Sequence, residues 1–271
     1  MRHLFPRAGV ATLVAALLLS GPALADLPEA AMSADVVILG ERHNTQAHQS
    51  YQARAIAQLA PKAVVFEMLT PFEARRISAL RAAGELRKAI ADGEFHWTDF
   101  IDYLPLIEAA EAARIIGTAI PREDMRRAFG EGAAAEFGAD ADAYGLTRPL
   151  PDDEQEAREE AQFVNHCEAM PRDMMAGMVS AQRLRDAVFA RTVAEAVETH
   201  GTPVVLVTGW GHARRDYGVP VYLSAARPDI GVYVVGLQER EPEDGLFDHV
   251  VVTAPEPGRD DPCAAFAART E

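Results

Sequence analysis

Val36-Val37-Ile38-Leu39-Gly40-Glu41-Arg42-His43-Asn44-Thr45-Gln46-Ala47-His48 is the stretch that decides the fold. A short apolar, β-branched run has the composition of a strand buried on both faces, as in a parallel sheet. It stops at Gly40 and then delivers a carboxylate, a guanidinium and an imidazole within three residues. In open α/β sheets, ligands meet the chain at the carboxyl ends of such strands. This turn is therefore one wall of a site, and the remaining chain must supply the others.

Working outward, residues 45–60 carry Ala, Tyr, Ile and Leu at helical spacing and end before Pro61. Residues 63–67 form a second buried run that again finishes on a carboxylate, Glu67. Strand, helix and strand in this order predict parallel pairing. Further strands are expected at residues 114–120, 204–208, 230–237 and 249–253, with helices over 71–94 and 100–113, a long helix led by the acidic residues 152–160, and a break at Pro171 between two helices in the region that runs to Glu198. Residues 130–151 are rich in Gly, Ala, Asp and Pro and read as an insertion. The fold expected is α/β, a mainly parallel central sheet flanked by helices, with a helical or irregular insertion.

Residues 1–25 stand apart. Arg2, His3 and Arg7 precede an apolar run over residues 8–19, and Ala23-Leu24-Ala25 has the small-x-small form of a signal-peptide cleavage site. The run is shorter than the roughly 20 apolar residues that span a bilayer. Export to the periplasm with cleavage after Ala25 is expected, leaving an α/β domain over 26–254, a polar tail over 255–271 and no integral membrane segment. The chain of 271 residues has a net charge of −15, which argues against nucleic-acid or anionic-membrane partners. Its two cysteines, Cys167 and Cys263, could pair in an oxidising compartment or leave Cys167 free.

Three strand ends present reactive groups: Glu41 and His43, then Glu67, then His212. Gly40 to His43 and Gly209 to His212 share the form Gly-x-x-His, in which the glycine would let the chain turn sharply and aim the imidazole into a crevice. If the strands are parallel the four groups converge, which suits a divalent metal or acid–base chemistry. The bland alternative is that Glu67 pairs with Arg42 and His43 caps the next helix. A second region sets His166 beside Cys167 among Met170, Met174, Met175 and Met178. An imidazole among thioethers could wall a flat apolar cofactor such as haem, whose iron accepts His, Met, Tyr or Cys; methionines at this spacing also serve as core filler. Tyr144 is a further candidate oxygen ligand, ahead of the acidic helix.

The chain resembles the ChaN family of haem-binding uptake proteins, within the wider Tiki, TraB and erythromycin-esterase-like grouping. The blocks that carry the resemblance are Ile38-Leu39-Gly40-Glu41-Arg42-His43 with Ala47-His48, Val65-Phe66-Glu67-Met68-Leu69, Ile120-Pro121-Arg122, Ala181-Gln182 with Arg185-Asp186, and Gly209-Trp210-Gly211-His212-Ala213-Arg214 with Gly218-Val219-Pro220. The resemblance implies an α/β fold, export, haem binding in iron uptake, and a homodimer around paired haems with tyrosine on the iron. It also implies a periplasmic or outer-membrane haem-transport component as partner. This chain departs from the pattern in lacking a lipid-attachment cysteine and in having Ala119 where an asparagine is expected.

On that basis haem is the expected cofactor, with His166, Met170, Met174 and Tyr144 lining its pocket and His166 or Tyr144 on the iron. Related branches contain hydrolases. The alternative is therefore a periplasmic metal-assisted esterase or peptidase, in which Glu41 or Glu67 is the base and His43 and His212 bind the metal or stabilise charge. A third alternative is a non-catalytic interaction protein whose strand-end residues only hold loops.

Overall fold

In the computed structural model, residues 27–95, 97, 100–240, 245–259 and 263–264 are described. The proposed leader and its cleavage point lie outside them. Six strands form one sheet: β1 (Val36–Glu41), β2 (Ala63–Phe66), β3 (Arg114–Gly117), β4 (Val204–Gly209), β5 (Val232–Gln238) and β6 (His249–Val252). Their order is β3-β2-β4-β1-β5-β6. Every pairing among the described residues is parallel, in line with the mainly parallel sheet expected.

Helices in chain order are α1 (Glu29–Met32), α2 (Gln46–Leu59), α3 (Pro71–Ala83), α4 (Leu86–Ala91), α5 (Leu104–Ala109), α6 (Arg122–Glu131), α7 (Ala133–Phe137), α8 (Asp152–Asn165), α9 (Met175–His200), α10 (Trp210–Ala213) and α11 (Val219–Ala226). Side chains alternate across a strand, and this alternation splits the core in two. Val37, Leu39, Val64, Phe66, Val205 and Val207 pack with residues of α2 to α5 on one face. Val36, Ile38, Ala63, Val65, Val204 and Leu206 pack with residues of α6, α7, α9 and α11 on the other. Covering on both faces is why β1, β2 and β4 are buried at every position.

Local chemistry sets the ends of the elements. Thr70 and Glu73 form a reciprocal capping box at the start of α3, with Pro71 at the first helical position. Gly117 has no room for a side chain, because a Cβ there would lie 2.3 Å from the Thr70 carbonyl oxygen. Glycine thus lets the exit of β2 lie across β3. Residues 100–113 are not one helix: a 3-10 turn (Phe100–Tyr103) precedes α5, and Pro105 lies in the first turn of that helix. Pro171 separates α8 from a 3-10 turn and α9, as its ring requires. The segment expected to be irregular contains the end of α6, all of α7 and a run of turns. Among the described residues no helix is long and apolar enough to cross a membrane.

Candidate functional site

Because β2, β4 and β1 are neighbours, their carboxyl ends place Glu67, Gly209 and Glu41 side by side. Glu41 is fully buried; its Oε1 accepts hydrogen bonds from the Tyr103 hydroxyl and from His43 Nδ1 at 2.8 Å. Burial alone would lower the His43 pKa, but the bond to Glu41 and the charges of Glu67 and Glu41 outweigh it and raise the value. The Tyr103 phenol is pushed well up by burial and by the adjacent Glu41 charge, so it stays a donor.

Glu67 is the hub. Its Oε2 accepts from Thr208 Oγ1 at 2.6 Å and from the Gly209 N–H at 2.7 Å, and its Oε1 accepts from Arg185 at 3.0 Å. The Nε2 atoms of His43 and His212 approach it at 3.9 and 3.6 Å. Burial would raise the Glu67 pKa, yet His212, Arg185, His43 and the Thr208 bond hold it far below the usual carboxylate range. His212 is fixed at Nδ1 by Asp186 at 2.6 Å, and burial pushes the Asp186 carboxyl upward despite that imidazole. Gln182 and Phe189 complete the seat of the ring.

Two imidazoles, each held at Nδ1 by a buried carboxylate, therefore present Nε2 to one shared glutamate. Arg42 does not pair with Glu67, as the bland alternative had it: it binds Glu239 at 3.0 Å. The Arg42 N–H donates to Nδ1 of buried His48, whose Nε2 meets Thr253 Oγ1 at 3.0 Å. His48 is the residue that pins this turn, and His43 does not cap α2: its Nδ1 is bound to Glu41, while the first N–H of the helix, on Gln46, is taken by Glu256 at 2.8 Å.

The two Gly-x-x-His stretches do not work as sharp turns, since neither Gly40 nor Gly209 has a positive φ. They make room instead. A Cβ on Gly40 would lie 2.4 Å from the Cβ of Ala213, next to His212. A Cβ on Gly209 would lie 3.1 Å from His43 Nε2. Each glycine admits the element that carries the other histidine.

A cavity of about 600 Å³ opens beside this cluster, lined by Glu41, His43 and His212, by Arg158, Gln162 and His166 of the α8 side, and by Trp210 and Tyr217. His166, predicted from its methionine neighbourhood, thus shares a cavity with the strand-end histidines. Its Nδ1 bonds the Gln162 carbonyl oxygen at 2.7 Å. Met170, Met174 and Tyr144 do not line this cavity. Tyr144 is buried with its ring 5.0 Å from Phe137, inside the second core cluster. The divalent-metal expectation is corrected: among the described residues no group of three or more His, Cys, Asp or Glu is arranged to hold a metal ion. Each imidazole is turned by its Nδ1 bond to Glu41 or Asp186, and Glu67 is held by Thr208, the Gly209 N–H and Arg185, while Glu41 Oε2 is buried without a hydrogen-bond partner among the described residues.

Tyr103, Asp186, Arg158 and Tyr217 were missed as site residues. Gln182 and Asp186 lie four apart on α9, a spacing that sets them on one helix face and could have signalled a shared target. The cysteines are bonded, Cys167 to Cys263, with 5.3 Å between their Cα atoms. The described part of the tail is also tied down: Arg259 donates to the His43 and Asn44 carbonyls and to Thr45, and Glu256 accepts from the Gln46 N–H. Residues 256 and 259 thus hold to the β1–α2 turn, and the disulfide holds Cys263 beside the end of α8.

A family model described as haem-binding uptake, Tiki superfamily, ChaN, matches residues 27–223. The structure is similar to one described as cofacial haem binding to ChaN of Campylobacter jejuni, with a TM-score of 0.61 and 20% identity over 82% of this chain and 88% of that one. It is more distantly similar to the type III effector HopBA1, with a TM-score of 0.44 and 10% identity over 83% and 89%. An erythromycin esterase EreC variant in its open conformation gives a TM-score of 0.43 and 11% identity over 80% and 76%. None of the curated proteins matches the chain.

Proposed function

Because the chain belongs to the ChaN family of haem-binding uptake proteins, we propose that it binds haem in the cavity beside β1 and β4, with His166 offered to the iron. The observation that carries this proposal is the state of His166. Its Nδ1–H is donated to the Gln162 carbonyl at 2.7 Å, which leaves Nε2 of this cavity-lining ring with no hydrogen bond among the described residues to compete with a ligand. Metal-binding imidazoles are oriented by such a bond from the opposite nitrogen. The wall also fits a porphyrin: Trp210, Tyr217, Val179 and Ala161 supply apolar surface, while arginines supply charge for acids. Bound haem would supply an iron centre that an imidazole can hold. The chain's part is to hold that imidazole in one tautomer. Met170, Met174 and Tyr144 have no role in this arrangement.

Export to the periplasm, delivery to a haem-transport component and pairing of two copies belong to the same proposal. Haemin added to purified protein is expected to give a shifted Soret band that His166→Ala weakens; an unshifted band with folded protein refutes it. Export predicts a secreted chain whose first residue is Asp26.

One observation favours a second function, acid–base hydrolysis. His43 and His212 sit on the same cavity wall, each fixed at Nδ1 by a carboxylate, with Glu67 between their Nε2 atoms. One imidazole can take a proton from water while the other gives one to a leaving group. Ester cleavage lost in both His43→Ala and His212→Ala supports it, and activity untouched by either removes it.

A further inference from the structure

Resting on the haem reading, the charge layout of the cavity leads us to propose a carboxylate-binding subsite centred on Arg158, which grips an acid side arm of the porphyrin. The chain carries a net charge of −15. Yet three arginines, Arg42, Arg158 and Arg240, line this cavity against a single carboxylate, Glu41. Glu41 binds Tyr103 and His43 through Oε1 and keeps Oε2 buried without a partner among the described residues, and Arg42 is committed to Glu239.

Arg158 stands apart from the other two. It is only 6% exposed, lies on α8 one turn before Gln162, and stacks on Tyr217 with its guanidinium carbon 4.7 Å from the ring centroid. Its Nη2 reaches Glu154, while Nε and Nη1 have no hydrogen-bond partner. Buried donors left without partners cost free energy. A guanidinium offers parallel N–H groups that match a carboxylate in two-point contact. Tyr217 covers the guanidinium and also forms cavity wall, with Arg214 stacked on the same ring at 4.1 Å; the ligand acid reaches the buried idle donors by displacing that ring. Haem presents such acids as propionates on one edge of an otherwise apolar disc. Arg158 then sets which edge enters, and the exposed Arg240 receives the second acid.

The rival role for Arg158 is purely structural: its charge acts on buried Asp186, whose Oδ2 also lacks a partner. Soret titrations of the wild type and Arg158→Met, each with haemin and with haemin dimethyl ester, separate the two. The subsite predicts that wild-type protein prefers haemin by about 10- to 100-fold, the worth of a charged hydrogen-bonded pair. Arg158→Met loses most of that preference, the exposed Arg240 keeping the remainder, and keeps its affinity for the ester. Equal affinity of the wild type for both porphyrins overturns the subsite, as does an equal loss for both in Arg158→Met. Binding of neither porphyrin refutes haem binding itself, a separate result. Should Arg158→Met fail to fold, Arg158→Lys retains the charge without the fork and is expected to show a reduced preference; an unchanged preference overturns the subsite.

Discussion

Acid should loosen the turn that carries His43, and His48 is the reason. This imidazole is fully buried, and burial pushes its pKa down from 6.5 to about 4. It accepts the Arg42 N–H at Nδ1 and meets Thr253 at Nε2, so it must stay neutral to do both. The unfolded chain binds a proton here near pH 6.5, whereas the folded chain resists until about 4. The stability that neutral His48 contributes is therefore complete above pH 6.5 and is lost as the pH falls toward 4. Each tenfold difference in proton affinity between the folded and unfolded chain is worth about 1.4 kcal/mol, so the loss is roughly 3 kcal/mol. His48→Gln keeps an acceptor and a donor but cannot titrate. Urea unfolding followed by tryptophan fluorescence between pH 4 and 7 should give a steep stability curve for the wild type and a flatter one for the variant. Carboxylate titrations common to both cancel in the difference. Parallel curves would refute a neutral, turn-pinning His48.

Other expectations concern the same neighbourhood. Cys263→Ser, or reduction of the wild type, should lower the urea stability by about 3–5 kcal/mol, since the bond closes a long loop; an unchanged midpoint would mean that the pair is open in solution. Gly40→Ala should cost about 1–3 kcal/mol in thermal unfolding by driving a methyl group into Ala213, and Ala213→Gly in the same chain should restore most of it. Tyr103→Phe removes the hydroxyl from Glu41, so the His43 resonances followed by NMR should titrate at higher pH; an unmoved or lower value would show that the hydroxyl does not govern this pair. His43 itself should favour the folded state below pH 6.5 and cease to do so as the pH rises through its raised folded value.

The sheet was legible because its central strands are continuous apolar runs. Val36 to Leu39 and Val204 to Val207 can only be buried on both faces, and parallel pairing follows from the helical spacing between them. Glu41, Glu67, His43 and His212 could be found for the same reason, since each follows such a run directly. Their partners could not. Tyr103 lies 62 residues from Glu41 in the chain, and Asp186 lies 26 residues before His212 in the middle of a long helix. Only the folded register brings them close. The methionine stripe is cut at Pro171, a break the sequence itself announces, and His166 before it lines the cavity while Met170 and Met174 do not. The order of the tail was also hidden, because its anchors are isolated polar contacts spread over residues 239–259 and the turn after β1.

The reciprocal fit of Gly40 with Ala213 and of Gly209 with His43 has a consequence for how this protein can change over generations. Neither half can drift alone. A larger residue at position 40 is tolerable only where position 213 has first shrunk, and a side chain at 209 displaces the very imidazole that the first strand exists to present. The two stretches, 169 positions apart by their numbering in the chain, are therefore expected to change together. A lineage that abandons the chemistry of this cavity should lose both together, and one that retains either should retain its counterpart.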